Sequence, residues 1–152
     1  MSRRSPVRAR ALAEGYRSGL EEVVAKQLEQ AGVSPRYEEL TLAYTQPSKP
    51  RSYTPDFVLP NGIVVETKGR FVTADRQKHL HIHACHPRID IRFVFSNANA
   101  KIGKLSKTTY ANWCDHNGFQ WAQRLVPREW LDEPKNFDSL DALTHALKKG
   151  SI

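Results

Sequence analysis

Three residues suited to metal and phosphate chemistry lie close together in one stretch of the sequence, YTPDFVLPNGIVVETKGR. Asp56 follows a proline, and Glu66 and Lys68 stand two residues apart in a run that is otherwise apolar. Carboxylates in a buried strand cost free energy unless another charge compensates them. A divalent cation would do so, because Mg²⁺ takes oxygen ligands and needs only one or two protein carboxylates. The spacing therefore indicates a metal site whose lysine orients or deprotonates water, or stabilises charge at phosphorus.

Two short strands are predicted to position these side chains. They read DFVL and IVVETK, and between them stand Asn61 and Gly62, a dipeptide that accepts positive φ and favours a tight turn. Because side chains alternate along a strand, Glu66 and Lys68 face the same way. Antiparallel pairing across the turn brings Asp56 roughly level with them. One face of the hairpin is therefore predicted to gather two carboxylates and one ammonium group.

This order of a proline-aspartate pair, a hairpin and then Glu-x-Lys resembles the pattern of the PD-(D/E)xK nucleases. The alternative is a hairpin edge with an ordinary Glu–Lys ion pair, which contributes little to stability. A third carboxylate, Glu21, is a candidate ligand if two metal ions are to hold both sides of an in-line displacement. Ser18 and Glu21 also match a capping box, in which Glu21 would bond the Ser18 N–H and take no part in catalysis. The residues alone leave both roles of Glu21 open.

Helices and strands alternate along the chain, which predicts an α/β fold with helices flanking a mixed sheet, since the hairpin is antiparallel. Predicted helices cover residues 17–31, 73–86, 108–118 and 137–149. Predicted strands cover residues 37–44, 56–59, 63–68, 89–96 and 119–126, and residues 45–52, with two prolines, form an extended segment. The last helix is expected to have Asp138 as its N-cap and Leu140, Leu143 and Leu147 as its buried stripe.

The charge of the chain indicates a polyanionic partner. Its formal net charge is +7 and its pI is about 9.6. Residues 1–16 are predicted to be a disordered basic arm, while the lysines of loop 97–107 are either solvated or directed at DNA. The candidate DNA-binding residues in these parts are Arg3, Arg4, Arg8, Arg10, Arg17, Lys101 and Lys104.

Other classes of protein are disfavoured by composition. No run approaches the 18 or so consecutive apolar residues of a membrane span, and the basic N-terminus has no apolar stretch behind it. Cys85 and Cys114 do not make a disulfide framework in a chain of 152 residues, so a reducing, intracellular setting is expected.

Five segments resemble, in order and spacing, the endonuclease I family of T-odd phages, which resolve Holliday junctions. They are YRSGLEEVVAKQLE, YTPDFVLPNGIVVETKGR, DRQKHL, HPRIDIRFVFS and PREWLDEPK, and the resemblance spans residues 16–135. It implies a restriction-endonuclease-like domain over residues 17–152 and a domain-swapped homodimer bridged around residues 42–52. It also implies a metal-dependent endodeoxyribonuclease acting on four-way and other branched DNA in the cytoplasm of a bacterial host.

The resemblance assigns roles to individual residues. It makes Glu21 catalytic and places it beside the hairpin of the partner chain, so that each active site is composite. It makes Asp56, Glu66 and Glu21 ligands of one or two Mg²⁺ or Mn²⁺ ions, with the backbone carbonyl of Thr67 completing the shell. Lys68 would assist the attack of water on phosphorus, and the 3′ oxygen would leave to give a 5′ phosphate. On the helix over 73–86 it favours phosphate contacts by Arg76, Lys78 and His79.

Three alternatives accompany this hypothesis. A sequence-specific restriction-type nuclease would share the motif, although no separate recognition domain is evident. A non-catalytic basic binding module is disfavoured by the intact Asp56, Glu66 and Lys68. His79, His83 and His86 share one helical face near Cys85, which is a possible zinc site.

The three tryptophans are expected to pack within the protein rather than to stack on bases: Trp113, Trp121 and Trp130.

Overall fold

The computed structural model describes residues 19–46 and 49–148. Its helices are α1 (Gly19–Gln30), α2 (Thr73–Cys85), α3 (Tyr110–Asn117), α4 (Arg128–Asp132) and α5 (Phe137–Thr144). Its strands are β1 (Arg36–Tyr37), β2 (Leu40–Gln46), β3 (Lys49–Tyr53), β4 (Phe57–Val58), β5 (Ile63–Lys68), β6 (Asp90–Phe95), β7 (Gln120–Gln123) and β8 (Leu147–Lys148). The predicted arm over residues 1–16, and Arg17 with it, lies outside the described residues.

A five-stranded mixed sheet in the order β1-β4-β5-β6-β7 forms the centre of the fold. The pairs β1-β4 and β4-β5 are antiparallel, whereas β5-β6 and β6-β7 are parallel. Helix α1 packs through Val24 and Leu28 on one face of the sheet, and α2 packs through Ile82 on the other. The predicted α/β class with a mixed sheet between helices is therefore confirmed.

A second sheet is built from β2, with β3 on one side and β8 on the other, and both pairings are antiparallel. The predicted strand over 37–44 is wrong as one element, because Glu38 interrupts it with a φ of +49°. The Glu38 N–H instead donates to the Asp56 carbonyl at 3.3 Å, which ties this break to the central sheet. The predicted bridge around 42–52 forms the β2-β3 hairpin apart from residues 47 and 48, which lie outside the described residues.

The β4-β5 connection has the expected position but a different turn. The Gly62 N–H donates to Leu59 O at 2.9 Å and the Leu59 N–H donates to Ile63 O at 2.8 Å, so the loop has three residues rather than two. Gly62 has a φ of +94°, whereas Asn61 does not have positive φ. Pro60 fits the first central position of such a turn, since its φ is already fixed. The proline therefore shifts the turn by one residue.

The C-terminal part of the chain departs most from prediction. The N-cap of α5 is Asn136, whose side chain accepts from the Ser139 N–H, so the prediction of Asp138 is wrong. The helix ends at Thr144, and Leu147 belongs to β8 opposite Thr41 rather than to a helical stripe. Strand β7 is shorter than predicted, because Arg124 has a φ of +68°.

Among the described helices, none is long and apolar enough to cross a bilayer.

Candidate active site

The site residues predicted from the sequence meet in one cleft of about 290 Å³. It lies where β5 ends and α2 begins, and the first turn of α1 reaches it from the other face of the sheet. Its lining consists of Glu21, Thr54, Asp56, Glu66, Thr67, Lys68, Gly69, Arg70, Asp75 and Lys78. The β4-β5 register explains the convergence, because pairing of Phe57 with Val65 places Asp56 opposite Glu66.

Asp56 is buried and held through only one of its oxygens. Its side chain is 5% exposed, and Oδ2 accepts both the backbone N–H and the hydroxyl of Thr67 at 2.9 Å. Oδ1 makes no hydrogen bond within the described part of the chain. Burial raises the pKa of Asp56 above its usual range, and the bonds from Thr67 and the charge of Lys68 offset only part of that effect. One oxygen of Asp56 is thus available to a ligand.

Glu66 is also buried and is also held by hydrogen bonds to only one of its two carboxylate oxygens. Its Oε2 accepts the Tyr53 hydroxyl at 2.7 Å and the Asp56 N–H at 2.9 Å. Its Oε1 lies 3.8 Å from His79 Nε2 and 4.0 Å from Lys68 Nζ, distances too long for hydrogen bonds. Burial, followed by the nearby charge of Asp56, raises the pKa of Glu66 to about 8. Near neutral pH the metal-free carboxyl group is therefore largely protonated.

Lys68 extends its ammonium group into the cleft between two carboxylates. Nζ is 4.0 Å from Glu66 Oε1 and 3.7 Å from Asp75 Oδ1, and the side chain is 18% exposed. Neither distance is that of a hydrogen bond, so the ammonium group keeps donors for a phosphate oxygen. Asp75 belongs to the first turn of α2, which fixes its position relative to the end of β5.

Glu21 lies in the first turn of α1 and is 3% exposed. Its Oε2 accepts the Tyr37 hydroxyl at 2.6 Å. The capping-box alternative requires Ser18, which lies outside the described residues. In the structure, Glu21 reaches the cleft of its own chain. A domain swap exchanges identical elements between copies, so the same arrangement would arise with α1 of one chain on the hairpin of another. The composite site thus stays a prediction.

The donors in the cleft fit a hard divalent cation. Asp56 Oδ1 and Glu66 Oε1 are oxygens without hydrogen bonds in the described chain, and burial works against the charge of both carboxylates. A cation there would reverse that effect, and Mg²⁺ needs no more than one or two carboxylates because it keeps several waters. The described residues contain no set of three or more His, Cys, Asp or Glu side chains arranged to hold a metal, and this applies to Glu21 with Asp56 and Glu66 as well as to the histidines of α2. The structure thus gives no support to zinc at His79, His83 and His86.

Comparison with known proteins places the chain in a family. A family model described as phage endonuclease I matches residues 1–150. The chain belongs to the phage endonuclease I family. It is 48% identical over 128 residues to Endonuclease I of Escherichia phage T7, which covers 84% of this chain and 86% of that protein. It is 44% identical over 138 residues to Endodeoxyribonuclease 1 of Enterobacteria phage T3, which covers 89% of this chain and 91% of that protein.

Membership of the endonuclease I family confirms the resemblance drawn from the sequence. The family model extends beyond residues 16–135, on which that resemblance was based, to residues 1–150. The final seventeen residues, which the five quoted segments do not reach, are therefore mostly within the family match.

The predicted DNA-binding residues differ in where the structure puts them. Lys78 lines the cleft, and its Nζ lies 5.3 Å from the centre of the Tyr53 ring. Arg76 is buried and donates to Phe71 O and to the Thr73 hydroxyl, so it does not reach the cleft. Lys101 and Lys104 are exposed in the loop after β6 and are not among the cleft residues. The five arginines predicted in residues 1–17 lie outside the described residues.

Residues that were not singled out from the sequence include Thr54, Arg70 and Asp75, which line the cleft, and Tyr53, which supports it from outside the lining. Tyr53 supports Glu66 from β3, and neither its spacing nor its type signals that contact. His79 is fully buried beneath Glu66, not exposed to phosphate as predicted. Asp75 lies four residues before His79 in α2, so the two side chains share one face of the helix. This spacing is the one feature of the sequence that could have related both residues to the cleft.

Proposed function

We propose that this protein is a divalent-metal-dependent endodeoxyribonuclease that cuts four-way (Holliday) and other branched DNA junctions. The names of its relatives, Endonuclease I and Endodeoxyribonuclease 1, support cleavage of DNA within the strand. The observation that carries the chemistry is the convergence of Glu21, Asp56, Glu66 and Lys68 on one cleft. Buried carboxylates facing an ammonium group fit hydrolysis of a phosphodiester.

Asp56 and Glu66 would hold Mg²⁺ or Mn²⁺ through the oxygens that have no hydrogen bond, one or two ions per site. Glu21 and the backbone carbonyl of Thr67 are the further ligands proposed. When bound, such an ion stabilises negative charge on phosphate and lowers the pKa of water. The Thr67 and Tyr53 hydrogen bonds keep the other oxygen of each carboxylate in place, so the two ligand oxygens are preorganised.

Lys68 acts on the substrate. The oxygen of a water molecule forms a bond to phosphorus and the bond from phosphorus to the 3′ oxygen breaks, which leaves a 5′ phosphate and a 3′ hydroxyl. The attacking water releases a proton to solvent, and the 3′ oxygen takes one up. During this step the non-bridging phosphate oxygens gain charge, and the Lys68 ammonium group donates to one of them. Arg70 and Lys78, at the same cleft, attract the neighbouring phosphates.

Recognition of branched DNA would rest on shape. Contacts to phosphates fix the position of a protein on DNA without reading bases, and a formal net charge of +7 supports such contacts. The proposed contacts come from the arginines of residues 1–17 and from Lys101 and Lys104. In a homodimer, two clefts held at a fixed spacing would cut paired strands within one encounter.

One assay separates this function from its rivals. The purified protein is incubated with a labelled four-way junction and with its linear arms, in Mg²⁺ and in Ca²⁺. We expect Mg²⁺-dependent cutting of the junction only, with binding retained in Ca²⁺. Cutting of the linear arms at one fixed sequence would instead indicate a restriction-type nuclease. Binding without Mg²⁺-dependent cutting would indicate a non-catalytic module.

Mixed dimers test the composite site. A Glu21→Gln chain is paired with a Glu66→Gln chain, and junction cleavage by the isolated heterodimer is measured. If α1 of one chain completes the cleft of the other, one intact site remains and about half the activity is expected. The matched control pairs a chain carrying both substitutions with a wild-type chain, which then has no intact site. The opposite pattern, with activity only in the control, would show that each cleft is built from one chain.

A further inference from the structure

His79 is a polar side chain that the proposed chemistry does not use. It lies in the middle of α2 and is 0% exposed. Within the described residues, neither Nδ1 nor Nε2 has a hydrogen-bond partner. Buried polar groups are almost always paired, so an imidazole with both nitrogens unpaired requires a functional explanation.

The surroundings of His79 place one of its ring nitrogens close to Glu66. Its ring meets the Tyr53 ring edge-on, with centroids 5.3 Å apart and planes at 82°, and the Phe93 ring in the same way at 4.8 Å and 84°. These aromatic walls fix the orientation of the imidazole. Nε2 then lies 3.8 Å from Glu66 Oε1, the oxygen that carries no hydrogen bond. A relative movement of about 1 Å would close this gap to a hydrogen bond.

The imidazole at this position is suited to donate a hydrogen bond, because Nε2 lies 3.8 Å from Glu66 Oε1 and has no other partner among the described residues. A neutral ring carries one N–H, and an Nε2–H tautomer would aim that donor at Glu66. Tyr53 bonds the other oxygen of the same carboxylate at 2.7 Å. The two side chains touch each other and together bracket Glu66.

We propose that His79 is a positioning residue for Glu66, donating its Nε2–H to Oε1 when the gap between the two side chains closes on binding of a divalent cation. This inference rests on the proposed function and deepens it by naming the support of one ligand. Metal-binding carboxylates commonly accept hydrogen bonds from neighbouring groups that do not touch the metal. Loss of such a partner lowers metal affinity about 10-fold to 100-fold. His79 would thus set affinity for the cation without touching DNA.

Two substitutions separate the N–H donor from the packing of the ring. His79→Phe keeps an aromatic ring and removes the donor, whereas His79→Gln keeps an amide N–H at the distance of Nε2. The control is His83→Phe on the same helix, where His83 packs edge-on against Phe119 at 5.3 Å and does not line the cleft. Three quantities are measured for each variant. Mn²⁺ affinity is measured by calorimetry, and junction binding is measured in Ca²⁺. Cleavage is then measured as a function of Mg²⁺ concentration.

We expect His79→Phe to weaken Mn²⁺ binding and to raise the Mg²⁺ needed for half-maximal cleavage by about tenfold or more, with junction binding within twofold. His79→Gln should recover most of the loss, and His83→Phe should resemble the wild type. Wild-type metal affinity in His79→Phe would overturn the inference and leave the proposed function intact. Failure of the wild-type protein itself to bind metal and cut would overturn the proposed function, and the inference with it.

A measurement on the wild-type protein covers the case in which His79→Phe does not fold. Long-range ¹H–¹⁵N spectra of the histidines report which ring nitrogen carries the proton. The expected result is a proton on Nε2 of His79, whose resonance moves when Mg²⁺ is added and does not move in Glu66→Gln. A proton on Nδ1, both before and after addition of Mg²⁺, would overturn the inference.

Discussion

Two groups of buried charge in this molecule are built in opposite ways. Arg92 in β6 is 2% exposed and donates to Asp90 at 2.7 and 2.9 Å and to Glu133 at 2.5 and 2.9 Å. Its guanidinium carbon also lies 5.2 Å from the centre of the Trp130 ring. In the cleft, Asp56 and Glu66 are almost equally buried, yet the nearest ammonium nitrogen is 4.0 Å from Glu66.

The pKa values show what this difference means. The hydrogen bond from Arg92 lowers the pKa of Glu133, and at Arg92 burial lowers the pKa while the bonds to Glu133 and Asp90 raise it more, so its net pKa is raised. For Glu66 burial dominates, and its pKa rises to about 8. The first group compensates its charges within the protein and ties β6 to the segment after α4. The second leaves the ionised form of its carboxyl groups under-compensated, so Glu66 keeps its proton near neutral pH, which fits a place where a cation binds.

The largest expected effect belongs to the under-compensated group. Glu66→Gln should reduce Mg²⁺-dependent junction cleavage by about 10³-fold or more, because it removes a proposed metal ligand, and the bound ion would supply several kcal/mol of transition-state stabilisation. Junction binding in Ca²⁺ should stay within a fewfold of wild type. The readouts are single-turnover cleavage and gel-shift affinity. Near-normal cleavage would show that Glu66 is not a ligand.

The compensated group should affect stability instead. Arg92→Met leaves Asp90 and Glu133 without their shared partner, and we expect a loss of roughly 2–4 kcal/mol in the free energy of unfolding. The expected loss lies towards the low end for buried ion pairs because Glu133 is half-buried and can be hydrated. Urea denaturation measures the change. Cleavage per folded molecule should be within about threefold of wild type, and a loss like that of Glu66→Gln would remove the distinction between the two groups.

The two groups should also give opposite dependences of stability on pH. Glu66 has its folded pKa raised from 4.5 to about 8, so its contribution is present below about pH 4.5 and is lost as the pH rises towards 8. Glu133 has a lowered pKa, so its contribution is present at neutral pH and is lost on acidification. In metal-free buffer, Glu66→Gln should therefore raise Tm at pH 8 by roughly 5 °C and have little effect at pH 4.5.

The control for this experiment is Glu133→Gln, which should change only the acid side of the profile. Thermal melts between pH 4 and 9 in the presence of a chelator measure both variants. An equal Tm change in Glu66→Gln at pH 4.5 and pH 8 would contradict the raised pKa.

The sequence was sufficient for the parts of the molecule that depend on local pattern. Alternation along β5 placed Glu66 and Lys68 on one face, and the antiparallel turn brought Asp56 to them, even though Pro60 changed the kind of turn. Helix α2 followed from helical periodicity. The C-terminal limit of α3 followed from Gly118, a glycine whose φ is positive in the structure. These features depend on neighbours that are close in the chain.

Contacts between distant segments were not predictable in the same way. Tyr53 and His79 both meet Glu66 only because β3 and α2 are packed against the sheet, and no spacing in the sequence encodes that. The break at Glu38 and the end of α5 at Thr144 arise from bonding of β1 and β8 to strands elsewhere in the chain. The zinc alternative considered for His79, His83 and His86 had the correct helical spacing, but His79 points into the aromatic core.

The claim that links these observations is that the carboxylates of the cleft remain under-compensated until a cation binds. It is tested most directly by calorimetric titration of Mn²⁺ at pH 7 in buffers of different ionisation enthalpy, which counts the protons released on binding. Because Glu66 has a pKa of about 8, wild-type protein should release about one proton per site, and Glu66→Gln should release almost none while binding Mn²⁺ more weakly. Binding without proton release, and with the same affinity in Glu66→Gln, would contradict the account.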